Sequence, residues 1–183
     1  MKKRLKRFIS RMRGEQNLEK LVDRGLTIGK NFTKMEGVII DPSHCWHITI
    51  GDNVVLAPRV HVLAHDTSTK VFLDYTRVAN TRIGNNVFVG AGTIVLPGVT
   101  IGNNVVIGAG SVVVNDIPDG SVAVGNPAHV VKPLSVFLEG NKKKMRFENM
   151  FDEQYTLRNH AFGEREKNAL LNACEKLGVI YVE

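Results

Sequence analysis

From Ile83 onward an aliphatic residue returns at every sixth position along the chain. The residue two positions before each return is small or β-branched, as a strand requires if both positions face one core. Each hexad therefore predicts one short strand, and a fixed internal repeat of this kind indicates a solenoid. The returning residues are Ile83, Val89, Val95, Ile101, Ile107 and Val113, preceded by Thr81, Val87, Thr93, Val99, Val105 and Ser111.

The turns between these strands carry a second repeat. The third residue after each of the first five aliphatic returns is glycine or asparagine, the two residues that most readily adopt positive φ. Three hexads make one triangular coil of eighteen residues, and stacked coils bury a continuous aliphatic column. The sequence therefore predicts an all-β solenoid, a parallel β-helix of hexapeptide repeats. The corner residues are Asn86, Gly92, Gly98, Asn104 and Gly110.

An earlier register of the same kind contains Ile50, Leu56 and Val62, and a weaker start lies at Ile28. The two clear registers differ by 33 residues, which is not a multiple of six. A segment must therefore leave the coil, and the sequence predicts a β-helix domain over residues 27–132 with a protruding loop at 64–82.

Both flanks of the repeat predict helices. In residues 1–26, Leu5, Phe8, Ile9 and Met12 share helical spacing, and so do Leu18, Leu21 and Val22, which predicts an N-terminal helical cap. In residues 133–183, the pattern is weak up to Gly163 and predicts loop with at most one helical turn. It then predicts a helix over residues 164–177 that ends before Gly178.

Composition narrows the class of protein. The chain has 183 residues, 43% hydrophobic and 23% charged, and no apolar stretch approaches the length of a membrane span. With no signal-peptide pattern and only Cys45 and Cys174, the sequence predicts a cytoplasmic protein. The net charge of +6 lies almost entirely in seven basic residues before Glu15, so the body has no nucleic-acid-binding face. Residues 1–13 fit a helix that caps the coil, the preferred interpretation, or a weak contact with an anionic membrane surface.

Several motifs resemble the maltose and galactoside acetyltransferase branch of the hexapeptide acyltransferases, which includes colanic-acid and capsule acetyltransferases. They are Ile50-Gly51-Asp52-Asn53-Val54, Ala64-His65-Asp66, Ile107-Gly108-Ala109-Gly110-Ser111, Asp116-Ile117-Pro118 and Val124-Gly125-Asn126-Pro127-Ala128. The resemblance implies a left-handed coil and a homotrimer with acetyl-CoA in the groove between neighbouring subunits. It also implies transfer of an acetyl group to a hydroxyl of a saccharide.

By this resemblance His65 is the general base that removes the acceptor proton, a task that suits a neutral imidazole. Asp66 either orients the imidazole or binds the acceptor. The sequence shows no nucleophile with its own base, since Cys45 lies outside the main motif and Cys174 falls in the C-terminal helix. We therefore expect direct transfer, without a covalent acetyl-enzyme and without a required metal.

The acceptor and donor contacts are also implied by position. Ser43, His44, Cys45 and Trp46 stand where relatives contact the acceptor, Phe88 replaces a tryptophan common beside the site, and Trp46 and Tyr75 either stack on a sugar or lie at a subunit boundary. Small residues at two corners suit the pantetheine arm, although corners favour such residues without any ligand. The predicted acetyl-CoA contacts are Gly90, Ala91, Gly108, Ala109, Val114, Asn115, His129 and Lys132.

Three alternatives stay open at this stage. N-acetylation of an amino sugar or nucleotide sugar needs a base in the same way. The γ-type carbonic anhydrases share the coil and bind zinc through three histidines, for which His61 and His65 would need His44 or His47 as a third ligand. A β-helix could also serve as a non-catalytic scaffold.

Overall fold

A computed structural model describes residues 16–183 of the chain. The predicted helix through Leu5 and Met12 and the membrane-contact alternative lie outside these residues. The described chain divides into two compact units, one ending at Ser135 and the other comprising Val136–Glu183. No helix in the described part is long and apolar enough to cross a membrane.

The first unit is a three-sided coil of short strands, one sheet to each side, which we call sheets A, B and C. Neighbouring strands are parallel except at the end of sheet B, where β15 and β16 are antiparallel. Sheet A contains β1 (Thr27–Ile28), β4 (Ile48–Ile50), β9 (Thr81–Ile83) and β12 (Thr100–Ile101). Sheet B contains β2 (Thr33–Lys34), β5 (Val55–Leu56), β10 (Val87–Val89), β13 (Val105–Ile107), β15 (Ser121–Val124) and β16 (His129–Pro133). Sheet C contains β3 (Ile39–Ile40), β6 (His61–Val62), β11 (Ile94–Val95) and β14 (Val112–Val113).

The core is the aliphatic column that the hexads predict. All six returning aliphatic residues from Ile83 to Val113 are buried, and so are the six residues that precede them by two positions. The buried hydroxyls among them are hydrogen-bonded, since Thr81 and Thr93 donate to the carbonyls of Leu63 and Gly108. The period of six is therefore confirmed as the spacing of inward-facing residues.

The corner between sheets A and B, which we call the asparagine corner, is joined from coil to coil by side chains. The backbone amides of Lys30, Asp52, Asn85 and Asn103 donate in turn to Oδ1 of Asp52, Asn85, Asn103 and Asp119, over 2.6–2.9 Å. A second row of asparagines, at φ 55–56°, links the side-chain amides of successive coils. The repeated asparagines thus satisfy polar groups that stacking would otherwise leave unpaired. The second row is Asn31, Asn53, Asn86 and Asn104.

The corner between sheets C and A, which we call the insertion corner, carries two insertions on successive coils. Strand partners in sheet C are 18 residues apart at Ile94 and Val112, but 22 apart at Ile39 and His61 and 33 apart at His61 and Ile94. The shorter insertion follows β3 and contains the 3₁₀ turn Cys45–His47. Since β3 and β6 are parallel neighbours, the segments that follow them leave the coil side by side.

The longer insertion is an arm made of β7 (His65–Asp66), helix α2 (Lys70–Leu73) and β8 (Arg77–Val78), in which β7 and β8 pair antiparallel. The coil resumes at Thr81, because Thr81 and Arg82 belong to β9. The predicted loop at 64–82 therefore ends two residues too late.

The helices outside the coil are short. Helix α1 (Leu18–Asp23) begins after Asn17, whose side chain accepts from the Lys20 amide, and it buries Leu21. Helix α3 (Leu134–Lys142) occupies part of the range predicted as loop with at most one helical turn, and its nine residues are longer than one turn. The weak pattern that concealed it includes Gly140, a poor helix former.

In the second unit, helix α4 (Glu164–Leu177) lies over the predicted range, and Gly178 follows it at φ 76°. Strands β17 (Met150–Phe151) and β18 (Tyr181–Val182) form a parallel pair.

Candidate functional site

The insertion corner brings together three titratable side chains from different parts of the sequence. Asp41 directly follows β3 and His65 follows Ala64 after β6, and these strands are paired through Ile40 and Val62. Parallel pairing thus places the two residues side by side. His44 comes from the turn that begins at Asp41.

The Asp41 carboxylate is buried and accepts four hydrogen bonds. Its Oδ1 accepts from the amides of Ser43 and His44, at 3.0 and 3.1 Å. Its Oδ2 accepts from the Ala64 amide at 3.1 Å and is hydrogen-bonded to Nδ1 of His65. Burial raises the pKa of Asp41, but the hydrogen bonds from His65 and the three backbone amides outweigh it, so that the pKa is lowered overall. Asp41 is therefore ionised at neutral pH.

An ionised acceptor at Nδ1 determines the tautomer of His65. The imidazole carries its hydrogen on Nδ1, which leaves the lone pair on Nε2 free to accept a proton. The His65 side chain is 26% exposed, so an acceptor can reach it. This arrangement can remove a proton from a hydroxyl and stabilise the imidazolium that forms.

Asp41 was missed by the sequence reasoning, which considered Asp66 for this orienting role. The Asp66 carboxylate instead accepts from the Ser68 amide at 2.9 Å, and hydrogen bonds from Ser68 lower its pKa. The available signal was positional. Asp41 and His65 both follow strands of sheet C at the insertion corner, but that alignment becomes visible only once the lengths of both insertions are known.

His44 lies directly beside the catalytic candidate. Its ring centroid is 4.7 Å from that of His65 and 5.4 Å from the Trp46 ring. The Nδ1 atom of His44 is buried and has no hydrogen-bond partner. His47 differs, because its Nδ1 is hydrogen-bonded to Oδ1 of Asn80 at 2.8 Å.

Four of the other predicted acceptor contacts are exposed, and one is buried. Ser43 and Trp46 are exposed on the same turn as His44, where an acceptor could meet them. The predicted acceptor contact of Cys45 was wrong. Its side chain is completely buried and its Sγ donates to the Leu21 carbonyl, so it cannot contact an acceptor. Tyr75 is exposed on the arm, and Phe88 faces outward from the middle of sheet B.

The predicted acetyl-CoA contacts lie on other parts of the coil. Gly90, Ala91, Gly108 and Ala109 form the corner between sheets B and C, whereas His65 lies at the insertion corner between C and A. Val114 and Asn115 follow β14 at the insertion corner, and His129 and Lys132 lie in β16.

Stacking of the coils alone accounts for one of these glycines. A Cβ on Gly90 would lie 2.5 Å from the Ala109 amide nitrogen. Within one chain, four of the predicted donor residues, Gly90, Ala91, Gly108 and Ala109, therefore lie at a different corner from His65.

One group of potential metal ligands is found among residues 16–183. It consists of Asp41, His44 and His65, whose ligand atoms all lie within 4.8 Å of one another. His61, which the carbonic anhydrase alternative requires, is not in this group, because it lies in sheet C between Ile39 and Ile94.

Comparison with known proteins places these features in context. Residues 80–115 match the family model for the bacterial transferase hexapeptide (six repeats). The chain is 36% identical over 172 residues to Protein CapG of Staphylococcus aureus, an alignment covering 84% of this chain and 98% of CapG. It is 39% identical over 115 residues to the galactoside O-acetyltransferase of Escherichia coli K12, covering 59% of this chain. That alignment spans only 54% of the enzyme.

The fold is also similar to a solved acetyltransferase structure. The structure of a galactoside acetyltransferase in complex with coenzyme A superposes with a TM-score of 0.53 and 30% identity. The superposition covers 69% of this chain and 72% of that one.

Proposed function

Because this chain belongs to the hexapeptide-repeat acetyltransferase family, we propose that it transfers an acetyl group from acetyl-CoA to a hydroxyl of a saccharide. The left-handed coil of the family is part of the proposal. The observation that carries it is the pair formed by His65 and the buried, ionised Asp41. The galactoside specificity of the relatives supports a saccharide acceptor, and the coenzyme A complex of one of them supports the donor.

The proposed reaction is a direct transfer. The acceptor oxygen attacks the thioester carbonyl carbon while Nε2 of His65 takes the hydroxyl proton. The C–S bond then breaks, and the imidazolium returns the proton to the departing thiolate, which gives an acetyl ester and coenzyme A. Asp41 stabilises the imidazolium between these steps. Cys45 does not support an acetyl-enzyme, because its side chain is completely buried.

An acceptor screen with acetyl-CoA tests this proposal. We expect thiol release with at least one free, nucleotide-linked or polymeric saccharide, and a product that hydroxylamine cleaves as an ester. An amide product resistant to hydroxylamine would show N-acetylation of an amino sugar instead. Absence of saccharide-dependent thiol release across the panel would contradict the function.

A homotrimer is the second part of the proposal, and the outward faces of the sheets support it. Outward residues of sheets B and C are mostly apolar, whereas those of sheet A are polar. A closed ring with head-to-tail contacts buries two different surfaces on each chain and leaves the third in solvent. The outward residues are Thr33, Val55, Phe88 and Val106 on β2, β5, β10 and β13 of sheet B, Ile39, His61, Ile94 and Val112 in sheet C, and Thr27, Thr49, Arg82 and Thr100 in sheet A.

The separation of the predicted site residues within one chain also supports a shared site. If acetyl-CoA lies between sheet C of one chain and sheet B of the next, it can contact the insertion corner of the first chain and the corner between sheets B and C of the second. Four exposed apolar residues near the tip of the arm, Val71, Phe72, Leu73 and Tyr75, would then have a neighbouring chain to contact.

Mixed trimers test the shared site. His65→Ala removes the base, and Ala109→Trp places a bulky side chain at an exposed corner position, so each variant alone should be nearly inactive. Random mixing of the two chains in equal amounts should restore roughly a quarter of the wild-type sites. Half of the chains then carry an intact His65, and half of their neighbours carry an intact Ala109.

Light scattering should give three times the 20.2 kDa chain mass for both variants and for the mixture. An active monomer, or mixed trimers without restored activity, would refute a site shared between subunits.

A further inference from the structure

Asp41, His44 and His65, which we call the active-site trio, have a property that acetyl transfer does not use. Each residue offers one ligand atom, and these atoms lie within 4.8 Å of one another. Nδ1 of His44 is buried without a hydrogen-bond partner. An unpaired buried nitrogen is unusual in a folded protein, and it is the kind of atom that a ligand can satisfy.

The three ligand atoms of the active-site trio favour some metal ions over others. One carboxylate and two imidazoles are ligands that zinc and other divalent transition metals bind, usually in tetrahedral geometry with a fourth position left open. Mg²⁺ prefers six oxygen ligands and suits this set poorly. The Asp41 carboxylate supplies negative charge, and no lysine or arginine of the described chain forms a salt bridge with it.

The active-site trio must rearrange to hold an ion. Metal–ligand distances of about 2.0–2.2 Å place tetrahedral ligand atoms roughly 3.3–3.5 Å apart. Asp41 and His65 share a hydrogen bond through Nδ1 of His65, so an ion that both residues ligate must replace that hydrogen bond. Nδ1 of His44 has no hydrogen bond to lose. The ring of His44 is only partly buried, which leaves room for it to rotate.

We infer that the active-site trio binds one divalent transition-metal ion and that the bound ion inhibits the enzyme. A neutral imidazole has one basic nitrogen, and coordination uses its lone pair while the other nitrogen keeps its hydrogen. His65 therefore cannot accept a proton from the acceptor when it ligates a metal, whichever nitrogen it uses. The inhibition rests on the proposed role of His65 as the base, whereas the binding site does not.

Zinc binding to the tag-free protein, measured by competition with a zinc-sensitive dye in the absence of acetyl-CoA and acceptor, tests the site. We expect one Zn²⁺ per chain and no binding of Mg²⁺. His44→Ala should weaken Zn²⁺ binding by more than the roughly 10- to 100-fold that loss of an outer-sphere partner costs. His47→Ala is the matched control, because this neighbouring histidine already uses its Nδ1 to bond Asn80, and its Zn²⁺ affinity should equal that of the wild type.

Absence of zinc binding, or equal binding by wild type and His44→Ala, would overturn the site. Since the dye measurement involves no acetyl transfer, it gives the same answer whether or not the proposed reaction is correct. Inhibition is then followed separately by thiol release, and we expect Zn²⁺ to stop turnover and a chelator to restore it. A protein that binds zinc at the trio yet retains full turnover would overturn the inhibitory role.

Discussion

His65→Ala is expected to lower kcat by about 100- to 10,000-fold, the usual cost of removing a positioned general base. The affinity for acetyl-CoA and the assembly state should remain nearly unchanged, because the predicted donor contacts lie at other positions of the coil. Thiol release on the best acceptor gives kcat, and equilibrium binding of acetyl-CoA gives the affinity.

The control for His65→Ala is His160→Ala, which removes an exposed histidine of the second unit and should leave turnover intact. If His65→Ala keeps more than about a tenth of wild-type kcat, the imidazole is not the general base. If the variant instead loses acetyl-CoA binding, His65 is a ligand contact or a structural residue.

Asp41→Asn is expected to lower kcat by about 100-fold or more and to destabilise the coil as well. The side-chain amide of asparagine has one oxygen and one NH₂ group, whereas both carboxylate oxygens of Asp41 accept hydrogen bonds. In either orientation the NH₂ group faces N–H donors, and leaving them unpaired in a buried place costs about 1–3 kcal/mol each. In both orientations the ring of His65 loses its ionised partner.

The asparagine corner provides the control for this substitution. Asp52 also accepts a backbone amide, from Lys30, but the equivalent position on the next two coils is already asparagine, at Asn85 and Asn103. Asp52→Asn should therefore change neither kcat nor the melting temperature appreciably. Wild-type kcat in Asp41→Asn would show that His65 needs no ionised partner.

The stability difference between wild type and Asp41→Asn should also depend on pH in a defined direction. The pKa of Asp41 is lowered in the folded protein, so its contribution is complete above the ordinary aspartate pKa and disappears as the pH falls through the lowered value. The difference in free energy of unfolding, measured by urea denaturation, should therefore narrow as the pH falls below about 4.

The sequence predicted the regular part of the fold because each hexad repeats the same local requirements. Aliphatic residues at every sixth position and asparagines at positive φ leave few other arrangements, and the structure has both. The insertions follow no period, and the residues within them were predicted less well. Cys45 lies next to exposed residues in the sequence, yet the 3₁₀ turn directs its side chain into the core.

Asp41 shows the same limitation at the site. It lies 24 residues before His65, and neither residue belongs to the repeat that sets the register of the strands. Only the pairing of β3 with β6 brings them together, and that pairing depends on how many residues leave the coil at each insertion. His65 was predicted from its motif, whereas its partner Asp41 is found only from the three-dimensional alignment of two coils.

The asparagine corner also bears on how such a protein can change in length over evolution. Every coil offers the next one the same side-chain oxygen and receives the same backbone amide, so a duplicated unit of eighteen residues would find matching partners on both of its sides. Tandem duplication or loss of one eighteen-residue coil in the gene would lengthen or shorten the column without altering the hydrogen bonds between successive coils at this corner. The proposed catalytic residues, Asp41 and His65, are not part of these repeated contacts, because they lie at the insertion corner.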